Sequence, residues 1–117
     1  MIAVIFEVTP LLGMEQRYFD IAVELRESLQ YIDGFVSVER FQSLTRPGTY
    51  LSLSYWRDEE AVRTWRSQTN HRAGQAEGRA RVFADYRIRV AQVVRDYTQT
   101  VRDQAPHDSN MALHVKE

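Results

Sequence analysis

The chain contains no cysteine and no excess of either charge, with 15 basic against 16 acidic residues and a net charge of −1. A disulfide framework, a thiolate metal site and a cysteine nucleophile are therefore excluded. The arginines alternate with acidic residues, so no basic stripe for nucleic acid is present. No apolar run reaches the roughly 18 to 20 residues of a membrane helix, and no secretion signal opens the chain. These absences predict a cytoplasmic protein with neither nucleic-acid nor membrane partners.

Signatures of nucleotide and metal sites are missing as well. No glycine-rich phosphate-binding loop follows the first predicted strand, which argues against a nucleotide or flavin fold. His71 is the one histidine inside the predicted folded unit, and a lone histidine without two or three neighbouring ligands does not make a metal site. We therefore expect neither a metal nor an organic cofactor.

The clearest local pattern lies in the middle of the chain. Residues 50–56 alternate with a period of two and so predict a strand with two different faces. Asp58 lies where a helix N-cap belongs, and acidic residues follow it in the first turn. The helix that begins there is predicted to turn Val62 and Trp65 toward the sheet. A polar run then leads into a second helical piece that opens with His71.

The remaining segments complete a βαββαβ order. Strands are predicted at residues 2–8, 35–44, 50–56 and 86–97, and helices at 14–31, from 58 onward and at 70–84. In the second strand, alternation places Val36 and Val38 on one face and Phe41 on the other. This break in the apolar pattern predicts a β-bulge near Glu39 and Arg40 or a strand with both faces partly covered. The order is that of an α+β, ferredoxin-like fold with an antiparallel sheet. Residues 1–97 form the predicted domain, and 98–117 are predicted to be a patternless polar tail with a short apolar patch at 111–115.

A homodimer is predicted from the third strand. Both helices of a ferredoxin-like fold cover the same face of the sheet, and the face with Tyr50 and Trp56 is predicted to be the other one. Left alone, that face would meet water, so a second sheet from a symmetry mate is its expected cover. The apolar patch of the tail is a further candidate for contact with the partner.

Two stretches carry a family resemblance, GFVSVERFQSL and SLSYWRDEEAVRTWRSQTNHRAGQAEGRARVFADYRIRVAQVV. Over about residues 1–97 the chain resembles the antibiotic biosynthesis monooxygenase family. The resemblance implies a homodimer whose two sheets form an α+β barrel, with a pocket between helices and sheet in each subunit. Some members oxidise polycyclic phenols and anthrones with O2 and no cofactor, others bind or degrade haem, and many have no assigned activity. Of the pattern of the haem-degrading members only the helical tryptophan is matched, by Trp65, because Phe6 replaces a first-strand asparagine and Gln75 replaces a histidine.

The candidate site is centred on His71. An imidazole with a pKa near 6.5 can take a phenolic or enolic proton at neutral pH, which makes His71 the candidate base; the alternative is a histidine that merely starts a helix. The predicted substrate-binding residues are Trp56, Trp65, Tyr86, Gly74 and Gly78. Alternatively, the tryptophans fill the core and the glycines allow helix and sheet to approach closely.

Three functional hypotheses follow. The first is a cofactor-independent monooxygenase that acts on a flat aromatic substrate such as an anthrone, phenol or quinol. The second is a protein that binds haem or another planar ligand, with His71 as the axial ligand. The third is a dimeric module without catalytic activity.

Overall fold

The computed structural model describes residues 1–114, except for the side chains of residues 69 and 70. The strands are β1 Ile2–Pro10, β2 Phe35–Gln42, β3 Tyr50–Trp56 and β4 Phe83–Gln92. The helices are α1 Glu15–Leu29, α2 Glu59–Arg66, α3 Thr69–Glu77 and α4 His107–Ala112, and a π-helical turn, Gly78–Val82, joins α3 to β4.

All strand pairs are antiparallel, and the order across the sheet is β2-β3-β1-β4. Each helical unit therefore connects strands that are not neighbours in the sheet, as the βαββαβ order requires. The predicted ferredoxin-like α+β fold is confirmed. The second helical unit is made of α2 and α3, as the sequence predicts. Among residues 1–114 no helix combines the length and apolar character needed to cross a membrane.

The helices α1, α2 and α3 pack on the face of the sheet that carries Tyr50 and Trp56. Trp56 is 0% exposed and belongs to one core cluster with Ala61 and Val62 of α2. The prediction that this face needs a partner sheet is therefore wrong. Alternation in β3 shows that the strand has two faces but does not show which one the helices cover. The opposite face carries half-buried apolar side chains, and we call it the open face: Ile5, Leu51, Leu53 and Tyr55.

The irregularity in β2 lies nearer its start than predicted. The register with β3 shifts between Phe35 and Ser37, so that Val36 forms the bulge, and pairing is regular from there to Gln42. A bulge near Glu39 and Arg40 is therefore wrong. Because the bulge adds one residue to the strand, Val36 and Val38 do not share a face as simple alternation would suggest.

The end of the chain is more ordered than a patternless tail. Strand β4 begins at Phe83 and ends at Gln92, earlier at both ends than predicted, because the π-helical turn closes the helical unit at Val82. Beyond it, Arg102 donates two hydrogen bonds to the side-chain oxygen of Asn110 in α4, at 3.0 and 2.9 Å. The predicted patch at 111–115 ends outside the described residues. The division into 1–97 and 98–117 stays a prediction.

Candidate functional site

A cavity of about 520 Å³ lies between the sheet and the helices α1, α2 and α3. This volume falls within the range of sites that hold one small molecule. Its walls are mainly apolar, with side chains from the sheet, from α1 and from α2: Val4, Phe6, Ile88, Val90, Ile21, Leu25, Leu29, Val62 and Trp65. The polar lining includes Tyr18, His71 and three arginines, Arg26, Arg40 and Arg66.

His71 lines this cavity from the first turn of α3. The corner between α2 and α3 brings its ring against Trp65, with centroids 4.4 Å apart and planes inclined at 48°. The residue is only 8% exposed. Burial, and then the positive charge of Arg72, lower the pKa of His71 below its ordinary value of 6.5. The imidazole is therefore neutral at pH 7 and has a lone pair with which to accept a proton.

Helix α2 holds Trp65 in place. Its predicted N-cap is confirmed, since the Asp58 carboxylate accepts a hydrogen bond of 2.9 Å from the backbone N–H of Ala61. Trp65 then stacks on Trp56, with ring centroids 4.9 Å apart and an interplanar angle of 20°. The Trp56 indole donates to the hydroxyl of Ser54 at 2.9 Å. Trp65 lines the cavity, while Trp56 lies behind it.

A second group of rings forms another part of the cavity wall. Phe6 and Phe83 line the cavity and lie 5.8 Å apart. Tyr86 packs behind both, 5.9 Å from Phe6 and 5.8 Å from Phe83. Tyr86 thus positions two lining rings, and its predicted contact with a substrate stays a prediction, as does that of Trp56.

The two glycines have different surroundings. Gly74 lines the cavity, and a Cβ there would lie 3.1 Å from a methyl carbon of Leu25 and 3.3 Å from one of Ile21. Gly78 is buried in the π-helical turn, where a Cβ would collide with the ring of Phe83. Both glycines therefore allow close approach, and Gly74 in addition borders the cavity.

Sequence reasoning missed the polar side chains opposite His71. Arg40 donates from Nε to the hydroxyl of Tyr18 at 3.2 Å, and its Cζ lies 5.3 Å from the centroid of that ring. Burial raises the pKa of Tyr18, against the opposing effect of the Arg40 charge. A signal was present in the sequence: Arg40 is two residues from Val38 in β2, so alternation places its charge on the same strand face as that apolar side chain.

Metal ligation finds no support in the described part of the chain. Residues 1–114 contain no group of three or more histidine, aspartate or glutamate side chains arranged to hold a metal ion.

Similarity to known proteins agrees with this architecture. The antibiotic biosynthesis monooxygenase family profile matches residues 1–77. A protein of Pyricularia oryzae named jasmonate monooxygenase ABM is 47% identical over 93 residues, which are 80% of this chain and 43% of that protein. YqjZ of Bacillus subtilis is 36% identical over 62 residues, 53% of each chain. The chain thus spans about half the length, or less, of these two curated relatives.

Solved structures share the fold at low sequence identity. The structure of Rv0793 from Mycobacterium tuberculosis superposes with a TM-score of 0.74 at 14% identity, over 83% of this chain and 98% of that one. Protein SO0527 from Shewanella oneidensis gives a TM-score of 0.71 at 10% identity, over 77% and 87%. The sequence match over residues 1–77 and the matching fold lead to one conclusion: this chain belongs to the antibiotic biosynthesis monooxygenase family.

Proposed function

We propose that the protein is a monooxygenase that oxidises a flat aromatic, enolisable substrate with O2 and without a bound cofactor. The observation that carries this proposal is the position of His71, a buried histidine with a lowered pKa, at the wall of an apolar cavity. Family membership supports the oxygenase chemistry. The cavity walls supply ring faces, from Trp65 on one side and Phe6 and Phe83 on the other, against which a flat molecule can pack.

In the proposed reaction the neutral His71 takes the phenolic or enolic proton of the substrate. The resulting anion is electron-rich and passes an electron to O2, and the substrate radical and superoxide then combine to a peroxide. The peroxide is bound to the carbon that was a CH2 group in the keto form of the substrate, and it takes back the proton from the imidazolium of His71. Loss of water then converts that carbon to C=O, so that one oxygen atom enters the product and the other leaves as water. The four electrons given up by the carbon equal the four accepted by O2, and no external reductant is needed. The imidazole that takes the proton is shielded from bulk water, since His71 is only 8% exposed.

Oxygen uptake with a panel of anthrones, hydroquinones and jasmonate tests the proposal. Jasmonate is included because the relative from Pyricularia oryzae carries that name, and oxygen uptake with jasmonate alone would contradict the aromatic substrate. Removing a general base typically costs 10²–10⁴-fold in rate, so His71→Ala is expected to lose about that factor. His107→Ala, in α4, is the matched control and is expected to keep the full rate. An unchanged rate in His71→Ala would remove His71 from the mechanism, and no uptake with any substrate would contradict the proposed function.

Two alternatives remain predictions. Haem binding with His71 as axial ligand predicts a Soret shift on haem titration that disappears in His71→Ala. A module without catalytic activity predicts neither oxygen uptake nor ligand binding. The expected cytoplasmic location is likewise a prediction, to be tested by cell fractionation.

We also propose that the protein is a homodimer built on the open face. Leu51, Leu53 and Tyr55 are apolar side chains that the three helices on the other face do not cover. A stable interface buries about 800 Å² per partner, and a sheet-to-sheet contact between two copies offers a patch of that kind. The α+β barrel expected from the sequence would form in this way. This surface is the reverse of the one that the sequence predicted.

A further inference from the structure

Three arginines that border the cavity have no acidic partner among the described residues. Arg26 comes from the last turn of α1, Arg40 from β2 and Arg66 from the end of α2. Within residues 1–114 the ion pairs involve other arginines: Arg17, Arg46, Arg57 and Arg89. A buried charge normally has a counter-charge, and of these three arginines Arg40 is half-buried, whereas Arg26 and Arg66 are exposed to solvent.

Among the described residues, Glu39 is the one acidic residue that borders the same cavity, and it does not neutralise these arginines. In the sheet Glu39 pairs with Leu53, so its side chain belongs to the open face, while Arg40 pairs with Ser52 on the helix-covered face. No ion pair joins Glu39 to Arg40 in the described residues. Among the described residues, therefore, no ion pair compensates the charge of the half-buried Arg40.

Arg40 is the arginine best held for ligand binding. Its Nε is engaged by the Tyr18 hydroxyl at 3.2 Å, and its guanidinium lies over the Tyr18 ring. Neither Nη atom of Arg40 donates a hydrogen bond to another residue between 1 and 114. Tyr18 is only 4% exposed, and because its hydroxyl accepts from Arg40, its own O–H hydrogen is available to a second acceptor. The Nη–H groups of Arg40 and the O–H group of Tyr18 are thus hydrogen-bond donors that lie close to each other.

We propose that Arg40 and Tyr18 form a carboxylate subsite, so that the cavity binds an amphipathic monocarboxylate. Two parallel Nη–H donors match the two oxygens of a carboxylate, and the Tyr18 hydroxyl supplies a third hydrogen bond. Arg26 and Arg66, which border the same cavity, add positive potential. The apolar body of the ligand lies against Leu25, Phe6 and Trp65. This inference rests on the proposed function, because both place the ligand in this cavity. It deepens that function by naming a chemical class of ligand, and it concerns binding alone.

Isothermal titration with 2-naphthoate and 2-naphthamide tests this subsite, because the two probes share one flat skeleton and differ in the charged head group. A charge-assisted hydrogen bond favours a charged ligand over its neutral analogue by about 10- to 100-fold in affinity. We therefore expect naphthoate to bind more tightly than the amide by such a factor. Arg40→Met is expected to bring the two affinities within about threefold of each other, and Tyr18→Phe to reduce the ratio partly. Arg63→Met, on the outer side of α2, is the matched control and should keep the wild-type ratio.

The outcomes separate this inference from the proposed function. Equal affinity for both probes, or no measurable affinity for naphthoate, overturns the subsite; oxygen uptake, which tests the proposed function, is measured independently. Loss of oxygen uptake in His71→Ala together with equal affinities would support the base and reject the subsite. Should Arg40→Met fail to fold by circular dichroism, Arg40→Lys keeps the charge and removes the parallel donors, and an unchanged ratio in that variant rejects the proposed geometry.

Discussion

The imidazole of His71 packs against the indole of Trp65, with ring centroids 4.4 Å apart. Trp65 in turn stacks on Trp56, and the edge of Phe35 meets Trp56 at 5.2 Å. A row of four rings therefore runs from the start of β2 to the cavity wall. Because Trp56 is fully buried, the candidate base rests on the main core of the protein.

The pH dependence of stability is the first prediction. The pKa of His71 is lowered in the folded protein, so between that value and 6.5 the unfolded chain binds a proton that the folded chain does not. The stability linked to His71 is therefore fully present above pH 6.5 and is lost as the pH falls through the folded-state pKa. Melting temperatures between about pH 7.5 and 5 should fall more steeply for the wild type than for His71→Gln, which keeps His107 and His114. Parallel curves for the two proteins would contradict this.

The second prediction concerns Trp56. Its replacement by alanine removes a fully buried ring, its stacking on Trp65 and its hydrogen bond to Ser54, and is expected to lower the free energy of unfolding by about 3–5 kcal/mol. Tyr31→Ala removes an aromatic ring that is 83% exposed and should cost less than about 0.5 kcal/mol. Urea denaturation monitored by circular dichroism measures both. Comparable losses in the two variants would show that the row of rings does not support the core.

The third prediction concerns Gly78. A methyl group at this position collides with the ring of Phe83, which Phe6, Tyr18 and Tyr86 confine within 6.0 Å. Gly78→Ala is therefore expected to cost about 1–3 kcal/mol through overpacking, as measured by urea denaturation, and to weaken ligand binding because Phe83 lines the cavity.

Gly74→Ala provides the comparison for that variant. Its new methyl group meets the flexible end of Leu25 at 3.1 Å, and alanine gains up to about 1 kcal/mol of helix propensity over glycine. Its net effect on stability should therefore be smaller than that of Gly78→Ala. A Gly78→Ala protein as stable as the wild type would show that the Phe83 ring moves freely.

The fourth prediction concerns the dimer. Light scattering should give twice the mass of the 117-residue chain at micromolar concentration, and Leu53→Glu on the open face should give the monomer mass. A buried unpaired carboxylate in the interface is the physical reason. Val23→Glu on α1, where valine is 57% exposed, introduces the same charge on the helical side and should leave the dimer intact.

Two results would revise the dimer proposal. A monomer in the wild type would reject it, and a dimer that persists in Leu53→Glu would move the interface away from the open face. Deletion from Thr98 onward separates the contribution of the C-terminal segment. If that deletion leaves the dimer intact, the interface is confined to the sheets.

Local sequence patterns were sufficient to predict the strands and helices and their order along the chain. The period of two in β3, the Asp58 cap and the helical spacing before His71 each arise from contacts within a few residues, so the pattern and the structure agree. The order βαββαβ then leaves few topologies, and the antiparallel sheet follows.

Only the tertiary structure decided which face of β3 the helices cover, and with it the position of the dimer surface. Alternation is symmetric between the two faces, so Trp56 and Tyr55 are equivalent until helices pack on one of them. The sequence pattern also does not show how far a residue lies from the cavity. Tyr86 and Gly78 pack against Phe83, which lines the cavity, and do not line it themselves. The meeting of Arg40 with Tyr18, 22 residues apart in the chain, depends on how α1 crosses β2, and no local pattern contains that distance.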